Sequence, residues 1–425
     1  MRGTKRGLSL GSVLTIVLTI GVLVGCILFF CAFQSGENVV MTAQKMAGMI
    51  GGREKEAEES VGSPSQVRTV TVTLAPTLPT PVPEPEGKHY TAALTLGGML
   101  AFQSEISDAI YDKTTQVCDY QSVLSALAPA VHADLNAVVL QQALTANGKG
   151  YSDTAAQSGL AGALRLSGFD TVLLHTGKAL EAGLQAVNDT AKVLSGVGMN
   201  AIGVQADGAV PEATINRNGI RIAILSFAES ISKKAQSGGG GTIRLYSDEA
   251  ARDAISNARA SGADCVIVYM HWGNENAKEI SSAQRAVAQR LTGYGADLIL
   301  GTGPTRVLPV EKVIAPGENG SNRQAIAAYS LGTLLTESRE GYDISGMLLH
   351  VTLDSDGSGR STVSELSYTP TYIWRQNIGG KYHYRIVNSR EAPPEGMNQN
   401  QIEVMGRALE RVRDTLGDND FIHMR

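Results

Sequence analysis

An imidazole, an indole and a carboxylate lie close together in this sequence, directly after a short apolar run. The run, Cys265 to Met270, has the length and β-branched content of a buried strand. It is followed by His271, Trp272 and Glu275. Open α/β sheets bind their ligands at the C-terminal ends of the strands, so these side chains are predicted to face a cleft. His271 and Glu275 are the candidate catalytic residues.

The elements that follow this segment complete a predicted strand–helix–strand unit. A helix over Ser281 to Tyr294 carries its apolar residues on one face and ends at Gly295. A second buried strand, Asp297 to Leu300, then runs into a turn of small residues, Gly301 to Thr305. Because the two strands are predicted to be parallel, both strand ends feed the same cleft.

Strands and helices alternate through residues 89–392, and two antiparallel strands follow near the end of that range. Several of the predicted strands end in similar small-residue turns, including Gly97-Gly98, Gly177 and Gly332-Thr333. The pattern predicts an α/β domain with mixed β-sheets. Residues 393–425 add a C-terminal amphipathic helix, Asn398 to Leu416, and a short tail.

Charge and cysteine usage exclude some classes of function. The 425-residue chain has 36 Lys and Arg against 41 Asp and Glu, a formal net charge of -5, and no basic cluster. This balance argues against a nucleic-acid partner. The cysteines, Cys26, Cys31, Cys118 and Cys265, have no metal-binding spacing. A disulfide between Cys118 and Cys265 stays open, although Cys265 is typical of a core strand residue.

The N-terminus predicts a membrane anchor. A basic tail, residues 1–7, precedes an apolar run over residues 8–33 that would span about 39 Å as a helix, more than the hydrocarbon core of a bilayer. The basic residues in front predict a cytoplasmic N-terminus and an extracytoplasmic remainder. A cleaved signal peptide and a lipoprotein anchored at Cys26 are the alternatives. The Thr- and Pro-rich residues 34–88 predict an extended spacer between the anchor and the globular domain.

The order of three motifs resembles the CapA family, the poly-γ-glutamate capsule synthesis proteins. The motifs are HWGNE, then YGADLILGTGPTRVLPVE, then AAYSLGTLL, and the resemblance extends over about residues 92–390. Members of that family are similar in fold to calcineurin-like metallophosphatases. The resemblance therefore implies a sandwich of two mixed β-sheets flanked by helices, with a role in capsule or cell-envelope polymer synthesis.

The positions that carry metal ligands in that family are occupied here by residues that bind cations poorly. In this chain they are Gly98, Val139, Gly177, Lys178, Gly303, Thr305 and Thr333. A two-metal site needs a bridging carboxylate and several His or Asn ligands, and a lysine would repel the cations. The resemblance therefore implies a family member without resident metal or metal-dependent catalysis, with a weak divalent-metal site at His271 as the alternative.

Three hypotheses about function follow. In the first, the protein binds an anionic envelope polymer or a membrane protein of the capsule machinery, with Lys178, Trp272, His175 and Thr333 as candidate ligand-binding residues. In the second, it is an amide ligase, a hydrolase or a metallophosphatase-type enzyme with a reduced site around His271. In the third, the domain is a structural spacer. Ordinary roles compete for each residue: His175 and His271 as core residues, Trp272 as rim packing and Lys178 as a solvated lysine.

Overall fold

The structure is a computed structural model that describes residues 88–145, 150–206, 210–238, 243–318, 320–338, 343–417 and 419–425. The predicted membrane anchor at 8–33, Cys26 and the spacer up to residue 87 lie outside the described residues. Within the described residues, no helix is both long enough and apolar enough to cross a membrane.

The described chain alternates between strands and helices before a run of long strands near its end. In chain order the strands are β1 (Tyr90–Leu100), β2 (Tyr111–Asp112), β3 (Val117–Cys118), β4 (Leu135–Leu140), β5 (Ala143–Thr145), β6 (Ala155–Gln157), β7 (Thr171–Leu173), β8 (Asn200–Ile202), β9 (Glu212–Arg217), β10 (Ile220–Ala228), β11 (Cys265–His271), β12 (Leu298–Thr302), β13 (Val307–Pro316), β14 (Asn322–Leu331), β15 (Thr333–Leu335), β16 (Ser345–Ser355), β17 (Ser361–Ile378), β18 (Lys381–Asn388) and β19 (His423–Met424). The α-helices are α1 (Ser104–Ile110), α2 (Tyr120–Leu124), α3 (Gly159–Leu166), α4 (Leu184–Gly196), α5 (Lys233–Ser237), α6 (Asp248–Ala260), α7 (Ser282–Tyr294) and α8 (Gln399–Leu416).

Two mixed sheets form the framework. In the larger sheet the strand order is β18-β17-β16-β1-β4-β7-β8, with β15 paired to β1 and β19 paired to β17. Strands β1, β4, β7 and β8 run parallel, whereas β16 to β18 are antiparallel. In the smaller sheet the order is β13-β14-β12-β11-β10-β9, with four parallel central strands and an antiparallel strand at each edge.

The two sheets pack face to face, with helices on their outer faces. One apolar cluster joins Leu96 and Leu349 of the larger sheet to Ile224, Ile267 and Leu300 of the smaller sheet. A second cluster packs α1 to α4 on the outer face of the larger sheet, and a third packs α6 and α7 on the outer face of the smaller one. The predicted α/β fold with a sandwich of two mixed sheets is therefore confirmed.

The central strand–helix–strand unit forms largely as predicted. The helix α7 begins after Ser281, whose side chain and that of Gln284 form a reciprocal capping box. It ends at Gly295, which has φ 119° and so closes the helix in the left-handed conformation that glycine tolerates. The flanking strands β11 and β12 are parallel neighbours and pair His271 with Thr302.

Three of the longer strands that sequence reasoning missed lie at sheet edges. They are β9, β13 and β18. Each mixes buried with partly or fully exposed residues and carries charged or proline residues, as edge strands do. Because polar residues interrupt these strands, they lack the continuous apolar run by which a central strand is recognised.

The cysteines and the C-terminal helix pack as ordinary core elements. Cys118 and Cys265 are both free and buried, in different apolar clusters, so the disulfide that the sequence left open is not formed. The amphipathic helix α8 buries Val412 and Leu416 in the cluster between the sheets. Its N-cap, Asn398, forms a capping box with Gln401.

Candidate functional site

The C-terminal strand ends of the two sheets meet at one rim. His175, just after β7 of the larger sheet, contacts Thr302 at the end of β12 of the smaller sheet, with 3.2 Å between Nε2 and Oγ1. A backbone hydrogen bond of 3.2 Å from Met99 N to Gly332 O joins the sheets at a second point. The rim therefore joins the two sheets, and it is also the place where a ligand was predicted to bind.

The hydroxyl of Thr302 lies between two imidazoles. Besides the contact with His175, Oγ1 lies 3.3 Å from Nδ1 of His271 and 3.4 Å from the carbonyl oxygen of Met270. A hydroxyl has one proton and two lone pairs, so all three contacts are satisfied when both imidazoles donate to Thr302 and Thr302 donates to Met270. His175 then carries its free lone pair on Nδ1, which is buried without a partner among the described residues.

Burial keeps both imidazoles neutral. Burial, and to a lesser extent the neighbouring His271, lowers the pKa of His175 to about 3. Burial also lowers the pKa of His271 to about 4, against the opposing charge of Glu229. The two rings lie edge to face, 6.3 Å apart. At neutral pH, neither histidine therefore carries a proton that it could donate as an imidazolium.

Trp272 packs against the smaller sheet. Its Nε1 donates to the carbonyl oxygen of Tyr329 at 3.0 Å, and the two rings stack with centroids 5.8 Å apart and an interplanar angle of 17°. Only 3% of Trp272 is exposed. This geometry is that of a core indole whose polar atom is satisfied by the backbone.

Glu275 and Thr305 are held together by the loop after β11. Thr305 N donates to the carbonyl oxygen of Glu275 at 2.9 Å, and Glu275 is exposed. The Thr305 hydroxyl donates to Oδ1 of the buried Asp343 at 2.6 Å. Ser338 donates to the other oxygen of that carboxylate at 2.7 Å. Thr305 therefore anchors the rim loops to one another.

The charge of Lys178 is already neutralised within the fold. Its Nζ lies 3.1 Å from Oε2 of Glu181, and Lys234 approaches the same oxygen at 3.7 Å. Ser232 donates to the other carboxylate oxygen at 2.9 Å. Burial alone would raise the pKa of Glu181, but the hydrogen bonds from Lys178 and Ser232 outweigh it, and the pKa is lowered. This carboxylate therefore stays ionised and holds the lysine.

Two of the rim glycines pack too closely to backbone for any larger residue. A Cβ placed on Gly98 would lie 2.3 Å from the carbonyl oxygen of Gly332. At Gly303, where φ is +123°, a Cβ would lie 2.3 Å from the carbonyl oxygen of Trp272. Because the obstacles are backbone atoms, neither position accepts an Asp or His ligand unless the rim moves.

The remaining family positions contribute little that could bind a metal. Val139 is fully buried between the sheets, and Gly177 is the N-cap of a short 3-10 helix, Lys178–Ala182. Thr333 is 1% exposed, and its hydroxyl has no partner among the described residues. In the part of the chain that the structure describes, no group of three or more His, Cys, Asp and Glu side chains could hold a metal ion. The donor set present at the rim therefore does not fit a two-metal centre.

Three residues that position the rim were missed from the sequence. Thr302 could have been found, since its hydroxyl lies in a glycine turn directly after a predicted strand. Glu229 accepts a 2.8 Å hydrogen bond from Gly273 N, and its own backbone N–H donates to the carbonyl oxygen of His271 at 2.8 Å. Glu229 and Asp343 are distant in sequence from the groups they hold, and no local pattern marks them.

A known protein family matches the part of the chain that contains the rim. Residues 93–338 match the family described as bacterial capsule synthesis protein PGA_cap, which is more than half of the chain. The chain belongs to this family. The resemblance that the sequence motifs suggested is thus confirmed, and the rim of this PGA_cap protein lies within the matched region.

Two named relatives show the same assignment at low identity. The chain is 28% identical over 183 residues to the capsule biosynthesis protein CapA of Bacillus anthracis, a match that covers 41% of each protein. It is 26% identical over 210 residues to the PGA biosynthesis protein CapA of Bacillus subtilis strain 168, covering 48% of this chain and 53% of that one. The chain thus spans about half the length of these relatives.

Two solved structures that align with this chain are an NAD nucleotidase and a calcineurin-like phosphoesterase. The NAD nucleotidase NadN of Haemophilus influenzae aligns with 80% of this chain and 64% of its own, at 10% identity and a TM-score of 0.43. The calcineurin-like phosphoesterase YfkN of Bacillus subtilis aligns with 76% of this chain and 98% of its own, at 11% identity and a TM-score of 0.41.

Proposed function

We propose that this protein acts at the bacterial cell envelope in the synthesis or binding of a capsule polymer of the poly-γ-glutamate type, without metal-dependent catalysis. The observation that carries the proposal is the PGA_cap match over residues 93–338. The names of both relatives, which refer to capsule or PGA biosynthesis, point the same way. The apolar run at residues 8–33 supports attachment to the cell membrane, with the domain outside the cytoplasm.

The chemistry of the rim supports the part of the proposal that excludes metal catalysis. Hydrolysis by a two-metal centre needs carboxylate and imidazole ligands around both cations. At the family positions this chain has glycines packed on backbone, a buried valine and a lysine that is paired with Glu181. The imidazoles of His175 and His271 are engaged by Thr302. What remains at the rim is a framework that joins two sheets.

Polymer binding can be tested with the full chain in a nonionic detergent. We expect poly-γ-glutamate to raise the melting temperature, because a ligand at 100 times its Kd stabilises the folded state by about 2.7 kcal/mol. Poly-α-glutamate, which has the same charge per residue, and the neutral polymer dextran are the controls. A shift with the γ-linked polymer that exceeds both controls supports the proposal. Equal melting temperatures with all three polymers would favour a structural spacer instead.

A reduced enzymatic site is the second candidate, and the exposure of His271 favours it. His271 is partly exposed, whereas the neighbouring His175 is fully buried. A partly exposed neutral imidazole can accept a proton or bind a single divalent metal weakly. This candidate predicts that His271→Asn abolishes hydrolysis or ligation of γ-glutamyl bonds while leaving the melting temperature nearly unchanged. Unchanged turnover in that variant would eliminate His271 as a catalytic residue.

A further inference from the structure

A second cavity lies far from the rim, at the opposite ends of β12 and β14. It has a volume of about 830 Å³, within the range of small-ligand sites. Its walls come from the start of β14, the turn between β16 and β17, and the C-terminal tail. Because β14 belongs to one sheet and β17 to the other, the cavity opens along the junction between the sheets. We call it the seam cavity.

Two nearly buried arginines share one carboxylate at the base of the seam cavity. Arg259 and Arg323 have side chains that are 17% and 16% exposed. Arg259 pairs closely with Oδ2 of Asp297, and Arg323 lies 4.0 Å from Oδ1. Oδ2 also accepts a 2.7 Å hydrogen bond from Val266 N. One carboxylate therefore balances two guanidinium groups, and a net positive charge is left in a poorly solvated place.

Two further cations line the mouth of the seam cavity. Lys312 and Arg360 are exposed, and neither forms an ion pair within the described residues. The ammonium of Lys312 lies 4.8 Å from the centre of the Phe421 ring. Arg323 and Arg360 line the same cavity, and burial together with the charge of Arg360 lowers the pKa of Arg323. Neither exposed side chain would need to leave a carboxylate in order to bind a ligand.

The carboxylates that face the seam cavity do not cancel this charge. Glu365 lies 3.3 Å from Nε2 of His423, and Asp420 is exposed on the C-terminal tail. With Asp297 they supply three negative charges, against three positive charges from the lining residues Lys312, Arg323 and Arg360, and Arg259, paired with Asp297, adds a fourth behind the cavity wall. The two positive side chains at the mouth form no ion pair within the described residues, whereas Asp297 and Glu365 are already in contact with partners.

We propose that the seam cavity binds an anionic group, a carboxylate or a phosphate, of an extended polymer. Guanidinium groups match the planar geometry of such anions and bind them through paired N–H donors. An anion placed between Lys312, Arg323 and Arg360 would remove the repulsion between the two arginines. Lys178, by contrast, is already held in an ion pair with Glu181. The proposal rests on the proposed function only for the choice of polyglutamate as one probe.

The seam cavity and the rim can be tested separately because they are well separated. Asp297 directly precedes β12 and Thr302 ends it, so the two positions are five residues apart along an extended strand. At about 3.3 Å per residue this is about 17 Å. A substitution at the mouth of the seam cavity therefore leaves the contacts of His175, His271 and Thr302 in place.

The test compares two double variants of the full chain in nonionic detergent. Lys312→Gln with Arg360→Gln removes the two exposed cations at the seam cavity and spares the buried Arg323. Lys233→Gln with Arg165→Gln removes the same charge from exposed sites elsewhere and serves as the control. Binding of oligo-γ-glutamate and of linear polyphosphate is measured by calorimetry at low and at physiological salt.

We expect the wild type to bind at least one of these anions, more tightly at low salt. The cavity variant should lose at least about tenfold in affinity, while the control variant stays within about twofold of the wild type. Equal affinities of the two double variants, or binding of neither anion by the wild type, would overturn the proposal. Polyphosphate binding without polyglutamate binding would support the seam cavity and contradict the proposed function. Polyglutamate binding that both variants retain would support the proposed function and contradict the seam cavity as the binding site.

Discussion

Replacing Thr302 by valine should separate the two sheets at the rim. Valine has nearly the shape of threonine, but it cannot accept the contacts from His175 Nε2 at 3.2 Å and His271 Nδ1 at 3.3 Å. Both nitrogens have limited access to water, because His175 is 0% exposed and His271 is only partly exposed. They would therefore lose a partner that water cannot easily replace.

The size of the effect follows from the number of orphaned groups. A buried polar group left without a partner costs about 1–3 kcal/mol, so two imidazoles give about 2–4 kcal/mol once the partial exposure of His271 is allowed for. Thr302→Ser is the matched control. It keeps the hydroxyl and loses one methyl group, which costs about 1 kcal/mol.

Equilibrium unfolding in urea measures the difference between the two variants. We expect the midpoint of Thr302→Val to fall well below that of Thr302→Ser at an unchanged slope, which indicates a change in stability and not in compactness. If the valine variant is as stable as the serine variant, the hydroxyl does not hold the imidazoles and this account of the rim is wrong.

Three further predictions concern pH, packing and the buried thiol. Burial lowers the pKa of His175 to about 3 and that of His271 and His350 to about 4, below the 6.5 of an unfolded chain. As the pH falls, the unfolded state therefore takes up protons before the folded state does. The free energy of unfolding should be greatest above pH 6.5 and should decrease towards pH 4. Urea midpoints measured as a function of pH should show this decrease, and it should be shallower in His271→Asn. Gly98→Ala, whose Cβ would meet the Gly332 carbonyl at 2.3 Å, should destabilise the fold by about 1–3 kcal/mol, whereas Gly162→Ala in helix α3, with nothing within 4 Å, should stabilise it slightly in the same unfolding assay. Cys265 is fully buried and its thiol pKa is raised by burial, so a thiol reagent should modify it only at the rate of unfolding, as mass spectrometry over increasing urea would reveal.

The central strands could be predicted from the sequence because they are covered on both faces. The strand β11 reads as a continuous apolar run, and every residue from Cys265 to Met270 is buried. Helix α7 was predictable from its cap and its terminal glycine, which act within one turn of the chain. The edge strand β13 was not, since Pro309, Glu311 and Lys312 interrupt its apolar pattern.

The position of the candidate site residues at strand ends could be predicted from the sequence, but the hydrogen bonds between them could not. His271 lies at a strand end, as the topology of a parallel sheet requires. Its link to His175 through Thr302 joins residues of different sheets, and no spacing along the chain encodes that contact. The same holds for Glu181: its ion pair with Lys178 is local, but Ser232, which donates to its carboxylate, comes from a distant loop.

The charge surplus of the seam cavity was also invisible in the sequence. Lys312, Arg323 and Arg360 are spread over 49 positions of a chain whose net charge is negative. They meet only because the start of β14 and the turn after β16 lie at the same end of the two sheets. Net charge alone therefore does not reveal the cations that the fold brings together at this cavity.

Metal content of the purified full chain is the measurement that tests the central claim most directly. The protein is loaded with Mn²⁺, Zn²⁺ or Mg²⁺, passed through a desalting column and analysed for bound metal and for its melting temperature. The account predicts substoichiometric metal and an unchanged melting temperature, because the rim lacks the ligands of a two-metal centre. Two bound metals per chain with a clear rise in melting temperature would contradict it, and would return metal-dependent catalysis to the rim around His271.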